Sequence, residues 1–173
     1  MAKLVTMWRS DEIHAQAVHY VKSYILFPSG LLGLVCMIGG LGGLGYQLLA
    51  TNSYTSTTFL ASSGLLLLGA LCGVAQTAYH RYLLRTVPQV FAARIRTAVR
   101  KSGKKTKIDE RGTTIDHTGR SLVPLGYLAG MVLLLGASAL ALTKGSVEAV
   151  PALLMPWAGF YWGKLFWWKG VVR

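Results

Sequence analysis

Acidic residues are the scarcest feature of this chain, six Asp and Glu among 173 positions, against eighteen Lys and Arg. Apart from Glu148, at the very start of the last apolar run, none lies inside a long apolar run, whereas proton and ion pathways through a membrane are usually built on ionisable groups there. That absence argues against a pump or carrier. Cysteine is nearly missing too: Cys36 and Cys72 stand alone without CxxC spacing, so no redox or metal motif is present. The histidines, His14, His19, His80 and His117, show no ligand-type pairing such as HxxxH, and no metal site is expected. Charge of any sign is low, 14% of residues against roughly 25% in an ordinary soluble domain. So little charge cannot cover a water-soluble globule of one domain's length.

The most informative absence is positional. Between Lys22 and Arg81 there is no Asp, Glu, Lys or Arg, a run long enough for two membrane spans and a turn. Residues 24–49 and 59–83 read as spans, separated by a hydroxyl-rich loop at 51–58. Residues 122–142 form a third apolar run. After a turn at 143–146, residues 147–168 form a fourth, which contains Pro151, Pro156 and Lys164. Prolines break helical hydrogen bonding, but neighbouring helices satisfy freed backbone groups in a membrane. A soluble bundle is excluded because four such runs leave no polar faces for water. A cleaved leader does not fit either: Asp11 and Glu12 precede the first run, and that run is longer than a signal-peptide core of about 7 to 15 residues.

The expected fold is therefore an all-α integral membrane protein whose four transmembrane helices form two hairpins joined by a basic amphipathic interfacial helix and polar loop. Its segments are an N-terminal stretch (1–23), a first hairpin (24–83), a basic segment (84–121), a second hairpin (122–168) and a tail (169–173). Cation placement sets the orientation. Three cations lie in the N-terminal segment, eleven between Arg81 and Arg120, and three at the C-terminal end; only Lys144 falls on the other side. Both termini and the middle segment are expected inside, in a mitochondrial inner membrane or a bacterial inner or thylakoid membrane.

Within the basic segment, Thr86 and Pro88 are helix-start residues, and Val87, Val90, Phe91, Ile95, Ala98 and Val99 recur at helical spacing. Arg94, Arg96, Arg100 and Lys101 fill much of the rest, as in a helix lying on anionic lipid or on a partner. Nucleic acid is not expected as a partner, since aromatics are absent apart from Phe91 and no binding motif appears.

Glycine is abundant, twenty residues, and each span carries a pair at i and i+4: Gly39 with Gly43, Gly69 with Gly73, Gly126 with Gly130, and Gly159 with Gly163. Such pairs let another backbone approach closely. A nucleotide-binding loop is a poor reading of the Gly39–Gly45 run, because it lacks a preceding strand and an exposed helix start. Aromatics gather at the C-terminal end, where Trp167 and Trp168 beside Lys169 match an interfacial anchor against lipid. Packing against a pigment, a quinone or a partner subunit is the other reading of these rings. His19 and His80, near the inner ends of their spans, are the only candidates to hold a haem or chlorophyll. Cys36 and Cys72 fall at similar depth and could touch.

Four glycine-rich spans in a small basic chain resemble, in architecture alone, the inner-membrane family of presequence-translocase channel subunits and their respiratory complex I relative. Those proteins have their termini in the intermembrane space, opposite to the orientation the cations imply here, and no residue role is carried over.

The expected function is that of a non-catalytic accessory or assembly subunit of a respiratory or photosynthetic membrane complex. It would pack on other membrane subunits and hold structural lipids, with no covalent cofactor. The alternative is a small transporter or channel lined by Ser62, Ser63 and Gln76, and a third reading is a haem- or pigment-binding anchor.

Overall fold

The computed structural model describes residues 14–86 and 122–168, and among these every regular element is a helix. Helix α1 spans His14–Leu49, α2 Ser56–Thr86, α3 Val123–Thr143 and α4 Ala149–Trp168. The first three are long and apolar enough to cross a membrane. With 20 residues α4 is long enough, at about 30 Å, but its four Trp, two Pro and Lys164 leave it without an apolar stretch like those of the other three.

Local sequence explains where the helices begin, widen and stop. Helix α1 starts well before the apolar run and carries a π-helical stretch at Val21–Leu26. Pro28 has no N–H and its ring crowds the carbonyl of Tyr24, so the preceding turn widens. The Phe27 N–H accordingly donates to the Lys22 carbonyl, five residues back. Asn52, with φ of 49°, reverses the chain after α1, and the Ser53 N–H closes on the Gln47 carbonyl at 3.1 Å. Asn tolerates this left-handed conformation better than other non-glycine residues. Helix α2 opens with a reciprocal cap: the Thr58 N–H donates to Thr55 Oγ1 at 3.4 Å and the Thr55 N–H to Thr58 Oγ1 at 3.3 Å. Gly145, with φ of 61°, ends α3 in the same left-handed manner as Asn52 ends α1.

The packing differs from two self-contained hairpins. Helix α4 is the hub, with its most extensive contacts to α2 and then to the Phe27–Leu49 part of α1. Helices α1 and α2, although joined by a six-residue turn, touch each other hardly at all, because α4 lies between them. Helix α3 adheres more loosely, to α4 and α2. The burial pattern has the same origin. Pro151, Ala152, Met155, Pro156, Ala158, Gly159 and Gly163 are all buried on α4, whereas α3 buries only Leu134, Ser138 and Ala141.

Two apolar clusters sit toward opposite ends. Leu44, Leu65, Ala141, Val147, Ala152 and Met155 close the end near the two turns. Ala17, Val21, Leu83, Leu84 and Trp168 close the other. Thr86 is the last described residue of α2, its hydroxyl donating to the Tyr82 carbonyl at 2.8 Å. The expected basic helix with Arg94, Arg96, Arg100 and Lys101 lies outside the described residues.

Candidate functional site

Glycine spacing on α2 and α4 produces the closest helix approach among the described residues. The Gly69 and Gly73 surfaces meet the backbone of Pro156 and Phe160, while Gly159 and Gly163 meet the backbone of Leu66 and Ala70. A Cβ at any of the four would run into a backbone carbonyl oxygen. Each pair is thus the seat for the other helix, a crossing that only hydrogen side chains permit.

On the opposite flank of α4, a Cβ at Gly39 would lie 2.6 Å from Leu154 Cδ1, at Gly40 2.8 Å from Met155 Sδ, and at Gly43 2.7 Å from Pro151 Cδ. Gly33 is nearly as tight, 3.0 Å from Tyr161 Cβ. Gly33 and Gly40 are buried and fall outside the i, i+4 pairs. They belong to the stripe Ser29, Gly33, Gly40, Leu44 and Gln47, whose near-heptad spacing is a signal the pair count passes over. Gly126 and Gly130 pack on nothing: added Cβ atoms there would find no atom within 4 Å among the described residues.

Those two glycines instead open onto a cleft of about 550 Å³ walled by α2 and α3 and floored by α4. Cys72, Gln76 and Tyr79 line one wall, Tyr127 and Met131 the other, and Trp157 and Phe160 the floor. His80 Nε2 and the Tyr127 hydroxyl, 2.9 Å apart, tie the two walls together. Gln76 Oε1 is buried without a hydrogen-bond partner. A buried polar amide atom left unpaired costs about 1 to 3 kcal/mol, which a ligand hydrogen-bonding to the Gln76 amide, in either orientation of that group, would remove.

The other expected residues separate. His19 is exposed, about 200° around the helix from Ala17, and so faces away from the bundle while His80 braces the cleft. They do not share one site. Cys36 and Cys72 are free thiols on α1 and α2, the two helices that α4 holds apart. Ser62 is buried with its hydroxyl donating to the Phe59 carbonyl at 3.1 Å, and neither it nor Ser63 lines the cleft; of the three candidate pore residues only Gln76 does.

The aromatic end also divides. Trp167 is exposed, with the Arg81 guanidinium 5.6 Å from its ring centroid and Arg81 Nη1 donating to its carbonyl at 3.3 Å. Trp168, expected as a second lipid anchor, is fully buried among Ala17, Val21, Leu83 and Leu84. One residue turns a helix by about 100°, enough to swing the second ring from lipid into the seam. The Lys164 ammonium lies 5.1 Å over the Phe160 ring, within cation–π range. Among the described residues no three His, Cys, Asp or Glu side chains converge as a metal site would require.

The chain matches no protein-family model, no characterised protein and no solved structure.

Proposed function

We propose that this chain is a four-span, non-catalytic accessory or assembly subunit of a larger energy-converting membrane complex, respiratory or photosynthetic, with both termini inside. Support for the fourth span comes from packing. Helix α4 runs antiparallel to α1, from Gly43 beside Pro151 to Gly30 beside Leu165, and parallel to α2, from Leu66 beside Gly159 to Arg81 beside Trp167. A helix flanked along its length by two apolar helices needs little lipid-facing hydropathy of its own, since its neighbours supply the apolar contact.

The observation that carries the subunit reading is the condition of α3. Its outward face, Leu125, Leu128, Val132 and Leu135 with Gly136 among them, is exposed, and only a narrow stripe holds it to the rest. A span so lightly held within its own chain gains most from a neighbouring subunit. The small size and basic charge favour an energy-converting host. The glycines of α1, α2 and α4 that meet a neighbouring helix, Gly39, Gly40, Gly43, Gly69, Gly73, Gly159 and Gly163, are occupied within the chain, and the outward face of α3 is the partner surface proposed here.

Solubilisation of native membranes in digitonin followed by native electrophoresis tests this. The chain is expected in a discrete assembly with the prosthetic groups of an electron-transfer enzyme, and Gly136→Trp is expected to release it. Migration of the unmodified chain as a monomer would refute the subunit role.

A further inference from the structure

The cleft between α2, α3 and α4 has three properties of a lipid site. Its α3 wall runs from Val123 to Leu134, eleven residues or about 16 Å of helix rise. Half of a hydrocarbon core about 30 Å thick is about 15 Å, so the groove reaches from one interface to the midplane, one leaflet and no further. The leaflet is the inner one on the four-span reading, because Arg81 and Arg85 mark that end of α2.

Polar groups are graded along the groove as they are along a phospholipid. Deep in the cleft the surfaces are Met131, Leu134, Trp157 and Phe160. Gln76 comes about 7.5 Å below the level of Arg81, counting five residues of rise. A glutamine amide carries both a donor and an acceptor end, exchanged by a half-turn of the group. It can therefore offer its NH2 to an ester carbonyl, whereas a bare hydrocarbon chain would leave it unpaired. Charge decides the headgroup. Seventeen of the eighteen cations fall on the inner side, where each near the surface favours anionic lipid by roughly tenfold or less.

We propose that this cleft holds one acyl chain of an anionic glycerophospholipid of the inner leaflet, with Gln76 hydrogen-bonded at the ester level and the His80–Tyr127 pair bracing the walls around it. The proposal rests on the four-span reading above. It leaves the outward face of α3 to a partner, since Gly126 and Gly130 open inward while Gly136 lies about 240° around the helix from Gly130.

The open space at Gly126 and Gly130 supplies a test, because a Cβ at either meets no atom within 4 Å and both positions line the cleft, so leucine side chains there would take up its volume. The purified full chain in dodecyl maltoside would be titrated with dioleoyl phosphatidylglycerol or dioleoyl phosphatidylcholine and read by native mass spectrometry. The wild type is expected to retain one phosphatidylglycerol and to bind phosphatidylcholine at least tenfold more weakly. Gly126→Leu/Gly130→Leu should weaken phosphatidylglycerol binding at least tenfold, Gln76→Leu several-fold, and Gly136→Leu not at all. Undiminished binding by the double leucine variant, or equal binding of the two lipids, overturns the proposal. If the double variant loses its place in the membrane complex yet keeps its lipid, the groove seats a subunit and the lipid site is refuted while the subunit role stands. A wild type that binds phosphatidylglycerol selectively but belongs to no complex supports the lipid site and removes only the subunit role.

Discussion

Replacing Gly69 and Gly73 with alanine inverts the usual effect of this substitution. In an ordinary helix alanine is better than glycine by up to about 1 kcal/mol per site, because it restricts the unfolded chain. At these two positions the new methyls meet the carbonyl oxygens of Pro156 and Phe160. Backbone cannot rotate away as a side chain can, so α2 and α4 must separate, and overpacking of this kind costs about 1 to 3 kcal/mol per site. Setting about 2 kcal/mol of overpacking per site against the full gain of about 1 kcal/mol, the double substitution loses roughly 2 kcal/mol net, about a 30-fold change in the folded-to-unfolded ratio. Gly64, on the same helix, has nothing within 4 Å of its would-be Cβ, and Gly64→Ala should be neutral or slightly stabilising. Unfolding with SDS in mixed micelles, followed by far-ultraviolet circular dichroism, reads both. The reciprocal pair, Gly159→Ala/Gly163→Ala, should cost a similar amount, and combining all four should cost less than the sum, since the first pair has already parted the helices. Equal stability of Gly69→Ala/Gly73→Ala and the wild type would refute the crossing.

Other consequences are equally direct. Trp168→Ala empties a fully buried site and should destabilise by about 3 to 5 kcal/mol, whereas Trp167→Ala, at a ring 44% exposed, should cost far less in the same SDS titration. Tyr127→Phe removes the brace to His80 and should cost about 0.5 to 1.5 kcal/mol, with faster exchange of lipid from the cleft measured by native mass spectrometry. Replacing Arg94, Arg96, Arg100 and Lys101 together with Gln should lower retention of the protein on vesicles containing phosphatidylglycerol, with helix content unchanged by circular dichroism. Unchanged retention would reduce those cations to a topology signal.

The three apolar helices were legible in the sequence because hydropathy reports contact with lipid, and α1, α2 and α3 each keep an exposed apolar face. Their ends were less legible. Helix α1 begins by His14 and α2 continues to Thr86, since a helix does not stop where the membrane does. The standing of α4 was the largest gap. Its prolines and Lys164 read as weaknesses, yet contact with protein substitutes for contact with lipid along most of its length. Spacing singled out Gly69, Gly73, Gly159 and Gly163, but period alone cannot say which pair meets which. The same limit hid Gly33 and Gly40, and it hid the cleft, which exists only through the distance between α2 and α3. Trp167 and Trp168 looked alike as neighbours in sequence, and only the rotation of α4 against α1 and α2 parts them.

On the reading proposed above, α4 crosses the membrane at the centre of a four-span bundle although it lacks the long strongly apolar stretch of the other three helices. Single cysteines at Ser53, Ser146 and Val172, in a chain with Cys36 and Cys72 replaced by Ala, probe this with a membrane-impermeant maleimide on sealed vesicles of known orientation. Ser53→Cys and Ser146→Cys should react from one side and Val172→Cys only from the other. Reaction of Ser146→Cys and Val172→Cys from the same side would contradict the crossing, and with it the bundle.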